Sequence, residues 1–257
     1  MQQIWVIGAS SGIGLSVAQA YADQGHNVLV SARNEQKLND ICDKNDHLHA
    51  VPLDATDAAS IQQAQQKVKT ITGHLDKVII NAGTAEYVDL LPVDVDLVRR
   101  VFEINFFGAI NMINASLPFL YDAVTGGQKP QLVIVSSSVS YQALTRAHAY
   151  GASKAAIRYF TECLKADVQH QGIDVRVVSP GFVKTPLTDK NDFEMPFVIT
   201  SEDAAKRIVK GLDGSRFDIH FPKRFTLLLK LFSFLPHRLK FWLLGKMSRF
   251  EPQGENS

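Results

Sequence analysis

Residues 4–14 are IWVIGASSGIG, in which four apolar residues precede a turn with glycine at positions 8, 12 and 14. An uninterrupted apolar run of this length is typical of a strand that is buried on both faces of a sheet. The turn leads directly into a periodic apolar segment that predicts a helix through Ala22. A strand, a glycine-rich turn and a helix in this order indicate the start of an α/β fold.

The rest of the chain repeats this alternation of strand and helix. Further strands are predicted at 28–30, 47–53, 77–80, 132–135, 174–178 and 217–221, and helices at 35–42, 57–71, 94–120, 149–169 and 201–212. This pattern predicts an α/β fold of the Rossmann type. Its doubly wound, mostly parallel sheet would have about seven strands, with helices on both faces.

Composition places few other constraints on the protein. The chain of 257 residues is 46% hydrophobic with a net charge of +1, so no overall field favours nucleic acid. Cys42 and Cys163 have neither a disulfide pattern nor metal-ligand spacing, and we expect no metal. Because the first strand is predicted to begin at Gln3, we expect no signal peptide and a cytoplasmic protein.

The glycine turn has the chemistry of a dinucleotide site. Glycine lets backbone N–H groups approach a pyrophosphate, and the helix that follows presents free N–H groups and a positive dipole end. The spacing G-x-x-x-G-x-G differs from the G-x-G-x-x-G of long-chain dinucleotide-binding proteins. A structural turn is the alternative, but its place after the first strand favours nucleotide binding. The residues expected there are Gly8, Ser10, Ser11, Gly12, Ile13 and Gly14.

The end of the second strand predicts which dinucleotide binds. An Asp or Glu there would accept a hydrogen bond from a ribose 2′-hydroxyl and repel a 2′-phosphate. The sequence at 30–34 is VSARN, without an acid, and Arg33 could pair with the phosphate. An exposed surface arginine is the alternative, and Glu35 lies nearby. The pattern favours NADP(H) over NAD(H).

Seven features, each a short motif or a single residue, follow one another along residues 3–212. They are the glycine turn, Asp54, Asn81-Ala82-Gly83, Asn105, Ser137, Tyr150-Gly151-Ala152-Ser153-Lys154 and Pro180-Gly181-Phe182-Val183-Lys184-Thr185. In this order the chain resembles the short-chain dehydrogenase/reductase family in its single-domain form. Ile7 and Ile80 depart from that family, which usually has threonine at the first position and asparagine at the second.

Tyr150 and Lys154 are four residues apart at the start of a predicted helix, so their side chains share a face. A phenol is a poor acid at neutral pH unless its anion is stabilised. A nearby ammonium, or the positive ring of an oxidised nicotinamide, would lower the phenol pKa. We therefore predict that Tyr150 donates the proton in reduction, although such a pair also occurs on helix surfaces. The resemblance implies that Lys154 also holds the nicotinamide ribose.

Two further polar residues complete the predicted catalytic set. Ser137 ends the fifth strand, where its hydroxyl could polarise a substrate carbonyl. Ser136 and Ser138 flank it, but strand alternation and the spacing to Tyr150 favour Ser137. Asn105 lies in an apolar helix. Its amide either makes structural hydrogen bonds within the protein or, as the resemblance implies, binds a water that links the active-site lysine to solvent.

The resemblance also assigns the remaining cofactor contacts. It implies that Asp54, Asn81, Ala82 and Gly83 line the adenosine side, although Asp54 could equally cap the helix that begins near residue 57. It further implies that the loop after the sixth strand brackets the nicotinamide. The residues expected in that loop are Pro180, Gly181, Val183 and Thr185.

The segment 186–200 and the C-terminal region bear on substrate and partners. Phe193, Met195, Pro196 and Phe197, with Phe182 and Val139, favour a lipophilic carbonyl substrate under a mobile loop. Residues 219–250 contain seven Lys or Arg and no Asp or Glu; these charges and Pro236 argue against a membrane span. Three alternatives stay open for this basic tail, 223–257: an interfacial membrane contact, a subunit contact, or a cap over the substrate mouth.

These patterns together predict an NADP-dependent oxidoreductase. Residues 1–222 would form the NADP-binding catalytic domain, which transfers hydride between NADP(H) and a carbonyl/alcohol pair. A non-catalytic NADP-sensing regulator is the alternative, but it would not need Ser137, Tyr150 and Lys154 together. An epimerase or dehydratase would usually carry a larger C-terminal domain. We expect a homo-oligomer, either dimer or tetramer, with no nucleic acid partner and with possible peripheral contact at the anionic inner face of a membrane.

Overall fold

The computed structural model of the chain describes residues 1–88 and 92–248. Within these residues seven strands form one sheet, and every neighbouring pair is parallel. The strands are β1 (Gln3–Ile7), β2 (Asn27–Ser31), β3 (Leu48–Ala50), β4 (Lys77–Ile80), β5 (Gln131–Val135), β6 (Asp174–Pro180) and β7 (Asp218–Phe221). Their order, β3-β2-β1-β4-β5-β6-β7, confirms the predicted doubly wound Rossmann-type sheet.

Helices connect the strands on both faces of the sheet. They are α1 (Gly12–Ala22), α2 (Glu35–Cys42), α3 (Ala58–Ile71), α4 (Val95–Phe102), α5 (Gly108–Thr125), α6 (His148–Val168), α7 (Ser201–Leu212), α8 (Lys223–Ser233) and α9 (His237–Lys246). A π-helical turn spans Glu103–Phe107, and 3-10 turns span Ser138–Tyr141 and Thr188–Lys190.

The pleat of the strands divides the core into two layers. In β1, Ile4 and Val6 pack with residues of α1 and α7 on one face, whereas Trp5 and Ile7 pack with residues of α3, α5 and α6 on the other. Because both faces are covered, β1, β4 and β5 are apolar after their first residue, which explains why these strands appear in the sequence as continuous apolar runs.

Two predicted elements differ from the structure. The strand predicted at 47–53 is regular only over Leu48–Ala50, although the Val51 and Leu53 N–H groups still donate to the Val30 and Ala32 carbonyls at 2.9 and 3.0 Å. The helix predicted at 94–120 is three segments, since the π-helical turn separates α4 from α5. In that turn the Gly108 N–H bonds to the Glu103 carbonyl, which inserts one residue into the helix beside Asn105.

The C-terminal helices differ in how firmly they pack. Helix α8 lies against β7 and the 3-10 turn after β5, and it buries Phe225, Thr226 and Leu229. Helix α9 buries no residue completely. Residues 249–257 of the basic tail, which include Arg249 and Phe250, lie outside the described residues. Across 1–88 and 92–248, every helix is too short or too polar to cross a bilayer.

Candidate active site

A cavity of about 670 Å³ opens at the carboxyl ends of the strands. It lies where the strand order reverses direction, between β1 and β4, which is the position at which open α/β sheets bind ligands. Each of five strands contributes its last residue or the residue that follows it. These residues are Ile7, Ser31, Asn81, Val135 and Pro180.

Most of the residues predicted for cofactor or catalysis line this cavity. They are Gly8, Ser10, Ser11, Gly12, Ile13, Arg33, Asp54, Asn81, Ala82, Gly83, Ser137, Tyr150, Lys154, Pro180, Gly181, Val183 and Thr185. Gly14 and Asn105 do not line it; both are buried behind its wall.

The glycine turn fits closely against the loop after β4. Gly8 has φ +85°, a conformation that favours glycine, and its carbonyl accepts a hydrogen bond from Asn81 Nδ2 at 3.0 Å. A Cβ atom at Gly14 would lie 2.1 Å from the Gly8 oxygen, so no larger residue fits there. Gly14 therefore acts through packing, and the two glycines together hold the turn in shape.

The first turn of α1 faces the cavity with its N–H groups available. Ser11 is the N-cap residue, but its side chain makes no capping hydrogen bond. Thr185 lies against the same turn, since a Cβ at Gly12 would be 2.9 Å from its Cγ2. A helix N-terminus without a side-chain cap fits a bound phosphate group.

Arg33 and Asp54 lie at the neighbouring end of the cavity. Arg33 is exposed on the cavity wall, whereas Glu35 begins α2 and does not line the cavity. The Asp54 carboxylate accepts hydrogen bonds from the Thr56 N–H at 2.9 Å and hydroxyl at 2.8 Å. These bonds, the first above all, and the charge of Arg33 lower the pKa of Asp54. The cap of α3 is Asp57, so Asp54 is free of that role.

Ser137 and Tyr150 come together at the end of β5. The two side chains are close enough for Ser137 to lower the pKa of the Tyr150 phenol, against the larger effect of burial. The flanking serines are directed elsewhere: Ser136 Oγ donates to the Lys154 carbonyl at 2.9 Å, and Ser138 is buried in the following turn. Of the three serines, the structure thus brings Ser137 to the tyrosine.

Lys154 is buried one helical turn after Tyr150. Its Nζ donates a hydrogen bond to the Val135 carbonyl at 3.1 Å. Gly83 lies beside both Lys154 Nζ and Asn105 Oδ1, and a Cβ at this position would be 3.2 Å from the first atom and 3.1 Å from the second. Burial disfavours the ammonium form and lowers the pKa of Lys154 to about 8.

The pKa of Tyr150 moves opposite to the direction that the sequence predicts. Burial raises the pKa of the phenol, and the neighbouring Ser137 side chain opposes that effect only in part. The lysine does not reverse it, because Lys154 Nζ is bonded to the Val135 carbonyl and is itself desolvated. In the protein alone Tyr150 is therefore protonated at neutral pH, which is the state that a proton donor requires.

The Asn105 amide makes three hydrogen bonds within the protein. Its Oδ1 accepts from the Thr84 N–H at 2.7 Å, and its Nδ2 donates to the Thr84 carbonyl at 2.8 Å and to Ser153 Oγ at 3.0 Å. These bonds tie the loop after β4 to α6, which carries Tyr150 and Lys154. Asn105 thus makes the structural hydrogen bonds that the sequence left open as one alternative. The binding of a water by Asn105 stays a prediction.

Several lining residues carried no signal in the sequence. Arg100 and Glu86 form an ion pair of 3.1 Å at the cavity wall, close to Glu103. The others are Asn34, Leu53, Ala55, Thr56, Thr84, Ile104, Ser136, Pro186, Leu187 and Thr188, with Ala32. Arg100 and Glu103 share a helix face by their spacing, but only the tertiary structure shows that this face turns toward a cavity.

An aromatic cluster lies beside Tyr150 and includes residues of the 186–200 loop. Phe193 packs edge-on against Tyr87 at 5.5 Å and against Phe182 at 5.9 Å between ring centroids. The loop is attached by an ion pair of 2.7 Å between Arg146 and Asp192. Tyr87 is close enough to Tyr150 for the two phenols to interact electrostatically. Val139, also predicted near substrate, is buried and lies against Gly151, the residue after Tyr150.

We predict that activity falls as pH rises through the Lys154 pKa. The ammonium form of Lys154 is lost near pH 8 rather than at the usual 10.5, whereas Tyr150 keeps its proton to a higher pH. If the ammonium is needed, kcat/KM should decline above about pH 8, since this parameter reports ionisations of the free enzyme. The stability of the fold should change in the opposite direction. Between about pH 8 and 10.5 the folded protein has lost the buried charge of Lys154, whereas the unfolded chain still carries it, so the free energy of unfolding should rise with pH.

The measurement is a pH profile of kcat/KM for carbonyl reduction. A Lys154→Met variant should show a lower rate and no decline in that range. A wild-type profile that stays flat until the usual lysine pKa of 10.5 would contradict the assignment.

Comparison with known proteins gives a consistent family. The model of the family described as short chain dehydrogenase matches residues 2–195. An uncharacterized oxidoreductase from Myxococcus xanthus is 31% identical over 238 residues, which cover 91% of this chain and 92% of that protein.

Solved structures share the fold over nearly the whole chain. A short-chain dehydrogenase from Burkholderia cenocepacia, in complex with NADP, has a TM-score of 0.81 at 23% identity and covers 95% of this chain and 97% of its own. An alcohol dehydrogenase from Thermococcus sibiricus, complexed with 5-hydroxy-NADP, has a TM-score of 0.76 at 21% identity and covers 86% and 96%. At these identities the likeness establishes the fold.

Proposed function

The chain belongs to the short-chain dehydrogenase family, and we propose that it is an oxidoreductase that transfers hydride between NADP(H) and a carbonyl/alcohol pair. The observation that carries the proposal is the meeting of Ser137, Tyr150 and Lys154 in one cavity with the glycine turn. A protein that only sensed the nucleotide would have no use for a proton donor beside a hydroxyl and a buried cation. The experiment that tests this function is an assay of carbonyl-dependent NADPH oxidation.

The cavity fits an NADP(H) molecule along its length. The N–H groups of the first turn of α1 would bind the pyrophosphate. Arg33 would pair with the 2′-phosphate, and Lys154 would hold the nicotinamide ribose hydroxyls. When bound, the cofactor supplies or accepts the hydride. The NADP-bound relatives of the same fold support this choice of cofactor.

The protein's own residues would supply the proton and stabilise the developing charge. In reduction, negative charge grows on the carbonyl oxygen, and the Ser137 hydroxyl would donate a hydrogen bond to it. Tyr150, held protonated by burial, would give its proton to that oxygen. The Lys154 ammonium would then stabilise the phenolate that remains. The pKa of about 8 leaves Lys154 protonated at neutral pH, as this role requires.

We further propose a lipophilic ketone or aldehyde as substrate and a homo-oligomer as the working form. The aromatic cluster of Tyr87, Phe182 and Phe193 beside Tyr150 supports the substrate class. For the oligomer, Phe107 and Tyr159 remain 50% and 72% exposed on the helices outside the sheet. Large exposed aromatic side chains of this kind are enriched at subunit contacts.

We predict that Arg33→Ala shifts the cofactor preference away from NADPH. The variant loses charge-assisted hydrogen bonds to the 2′-phosphate, so the Kd for NADPH should rise about 10- to 100-fold. The Kd for NADH, which lacks that phosphate, should stay nearly unchanged. Fluorescence titration of both cofactors measures the two constants.

Arg207→Ala is the matched control, because Arg207 is exposed on α7 and does not line the cavity. It should bind both cofactors as the wild type does. Equal losses for NADPH and NADH in Arg33→Ala, or a wild-type preference for NADH, would overturn the assignment of NADP(H).

A further inference from the structure

The C-terminal helices expose an unusual amount of apolar surface. Among the residues that the structure describes, sixteen large hydrophobic side chains are exposed, and half of them lie between 227 and 247. Their exposed fractions range from 44% to 85%. These eight residues, the C-terminal apolar surface, are Leu227, Leu228, Leu231, Phe234, Leu239, Phe241, Trp242 and Met247.

The exposed face of α8 is distinct from the face that the fold uses. Phe225 and Leu229 are buried against the body, so the core-facing stripe of the helix is already covered. Leu227, Leu231 and Phe234 follow one another at helical spacing on the other side and face solvent. The helix is therefore apolar on two faces, and the body of the protein covers only one of them.

Helix α9 lies on the surface with few attachments. Lys240 Nζ donates to the Ser233 carbonyl at 3.0 Å, and the Thr145 hydroxyl donates to the Met247 carbonyl at 3.4 Å. Lys246 Nζ lies 3.8 Å from the centre of the Trp242 ring. A tryptophan beside a lysine, both on the surface, is the combination that membrane–water interfaces favour.

Positive charge is concentrated on the same segment. Residues 219–248 contain six Lys or Arg and no Asp or Glu, whereas the rest of the chain has 21 Lys or Arg against 26 Asp or Glu. Lys223, Arg224, Arg238 and Lys246 are exposed there. Exposed cations and exposed apolar side chains thus share one segment, on a chain whose remaining residues carry a net negative charge.

We infer that α8 and α9 bind the surface of an anionic lipid bilayer. Apolar side chains would enter the boundary of the acyl chains, while the lysines and arginines meet the lipid phosphates. A symmetric contact between two copies would instead bring two positively charged surfaces together. The anionic bilayer is the occupant that matches both the apolar side chains and the charge.

The bound membrane would face the entrance to the candidate active site. Phe225 of α8 lies 5.3 Å from Phe182 and 6.4 Å from Phe197 between ring centroids. Phe197 and Val198 are about half exposed, so the 186–200 loop extends the C-terminal apolar surface. On the proposed function, this arrangement lets a lipid-soluble carbonyl substrate reach the enzyme from the bilayer.

The test is co-sedimentation of the full chain with vesicles. One set contains phosphatidylcholine alone, and the other contains phosphatidylcholine mixed with phosphatidylglycerol. We expect the bound fraction to be about tenfold higher with the anionic vesicles and to fall at high salt. The double variant F241S/W242S should lose this binding, because both side chains are exposed and their removal leaves the core unchanged.

The matched control is V93S/V95S, which removes two exposed apolar side chains far along the chain from α9 and should keep wild-type binding. Thermal unfolding and NADPH titration show that both variants are folded. Absence of pelleting with either lipid would overturn the inference, as would equal loss in the two variants or a change of oligomer size in F241S/W242S. None of these outcomes depends on carbonyl reduction, so the proposed function is judged separately.

Discussion

Replacing Tyr150 with Phe is expected to lower kcat for carbonyl reduction about 10²- to 10⁴-fold, the usual contribution of a positioned proton donor. The ring remains, so the packing at the start of α6 is preserved. Only the hydroxyl that meets Ser137 and holds the proton is lost. The Kd for NADPH should change little, because the glycine turn, Arg33 and Lys154 are untouched. Steady-state kinetics and cofactor titration measure the two effects.

Tyr159→Phe is the matched control for this variant. Tyr159 is on the same helix but is 72% exposed, and it does not line the cavity. Loss of the Tyr159 hydroxyl should leave kcat for carbonyl reduction unchanged. If Tyr150→Phe retained most of the wild-type rate, Tyr150 would not be the proton donor.

Gly14→Ala should weaken cofactor binding strongly although it adds only one methyl group. The added Cβ would lie 2.1 Å from the Gly8 carbonyl oxygen and 2.7 Å from Asn81 Nδ2. Backbone cannot move aside as a side chain can, so the turn must change shape. We expect NADPH affinity to fall by about 100-fold or more, equivalent to roughly 3 kcal/mol, with lower thermal stability.

Gly73→Ala provides the control for Gly14→Ala. A Cβ at Gly73 has no neighbour within 4 Å, so the substitution should leave both stability and cofactor affinity near wild type. NADPH binding by Gly14→Ala at wild-type affinity would show that the turn does not form the cofactor site.

The sequence predicts elements well where one local pattern determines them. Strand β4 and helices α2 and α7 have the predicted bounds, because an apolar run and clear periodicity mark them. In the structure the side chains of Asn34 and Thr200 cap the two helices. The π-helical turn was missed because its cause is not local. Asn105 bonds to Thr84 and Ser153, which lie 21 and 48 residues away, and only the fold brings them together.

The candidate site shows the same division between local and tertiary information. Residues at strand ends were predictable, since parallel strands bring their carboxyl ends to one edge of the sheet. The ion pair of Arg100 and Glu86 was not, because the two residues come from separate segments. The direction of the Tyr150 pKa was predicted wrongly, since burial determines it and the sequence does not give the depth of a side chain.

The most direct test of the central claim is transfer of a label from cofactor to product. The purified chain would be incubated with NADPH that carries deuterium on either face of the nicotinamide, together with a series of lipophilic ketones and aldehydes. We predict that one of the two labelled cofactors delivers deuterium to the carbinol carbon of an alcohol product, as seen by mass spectrometry. A protein that binds NADPH but forms no labelled alcohol from any of these carbonyls would contradict the account, and would be a cofactor-sensing regulator instead.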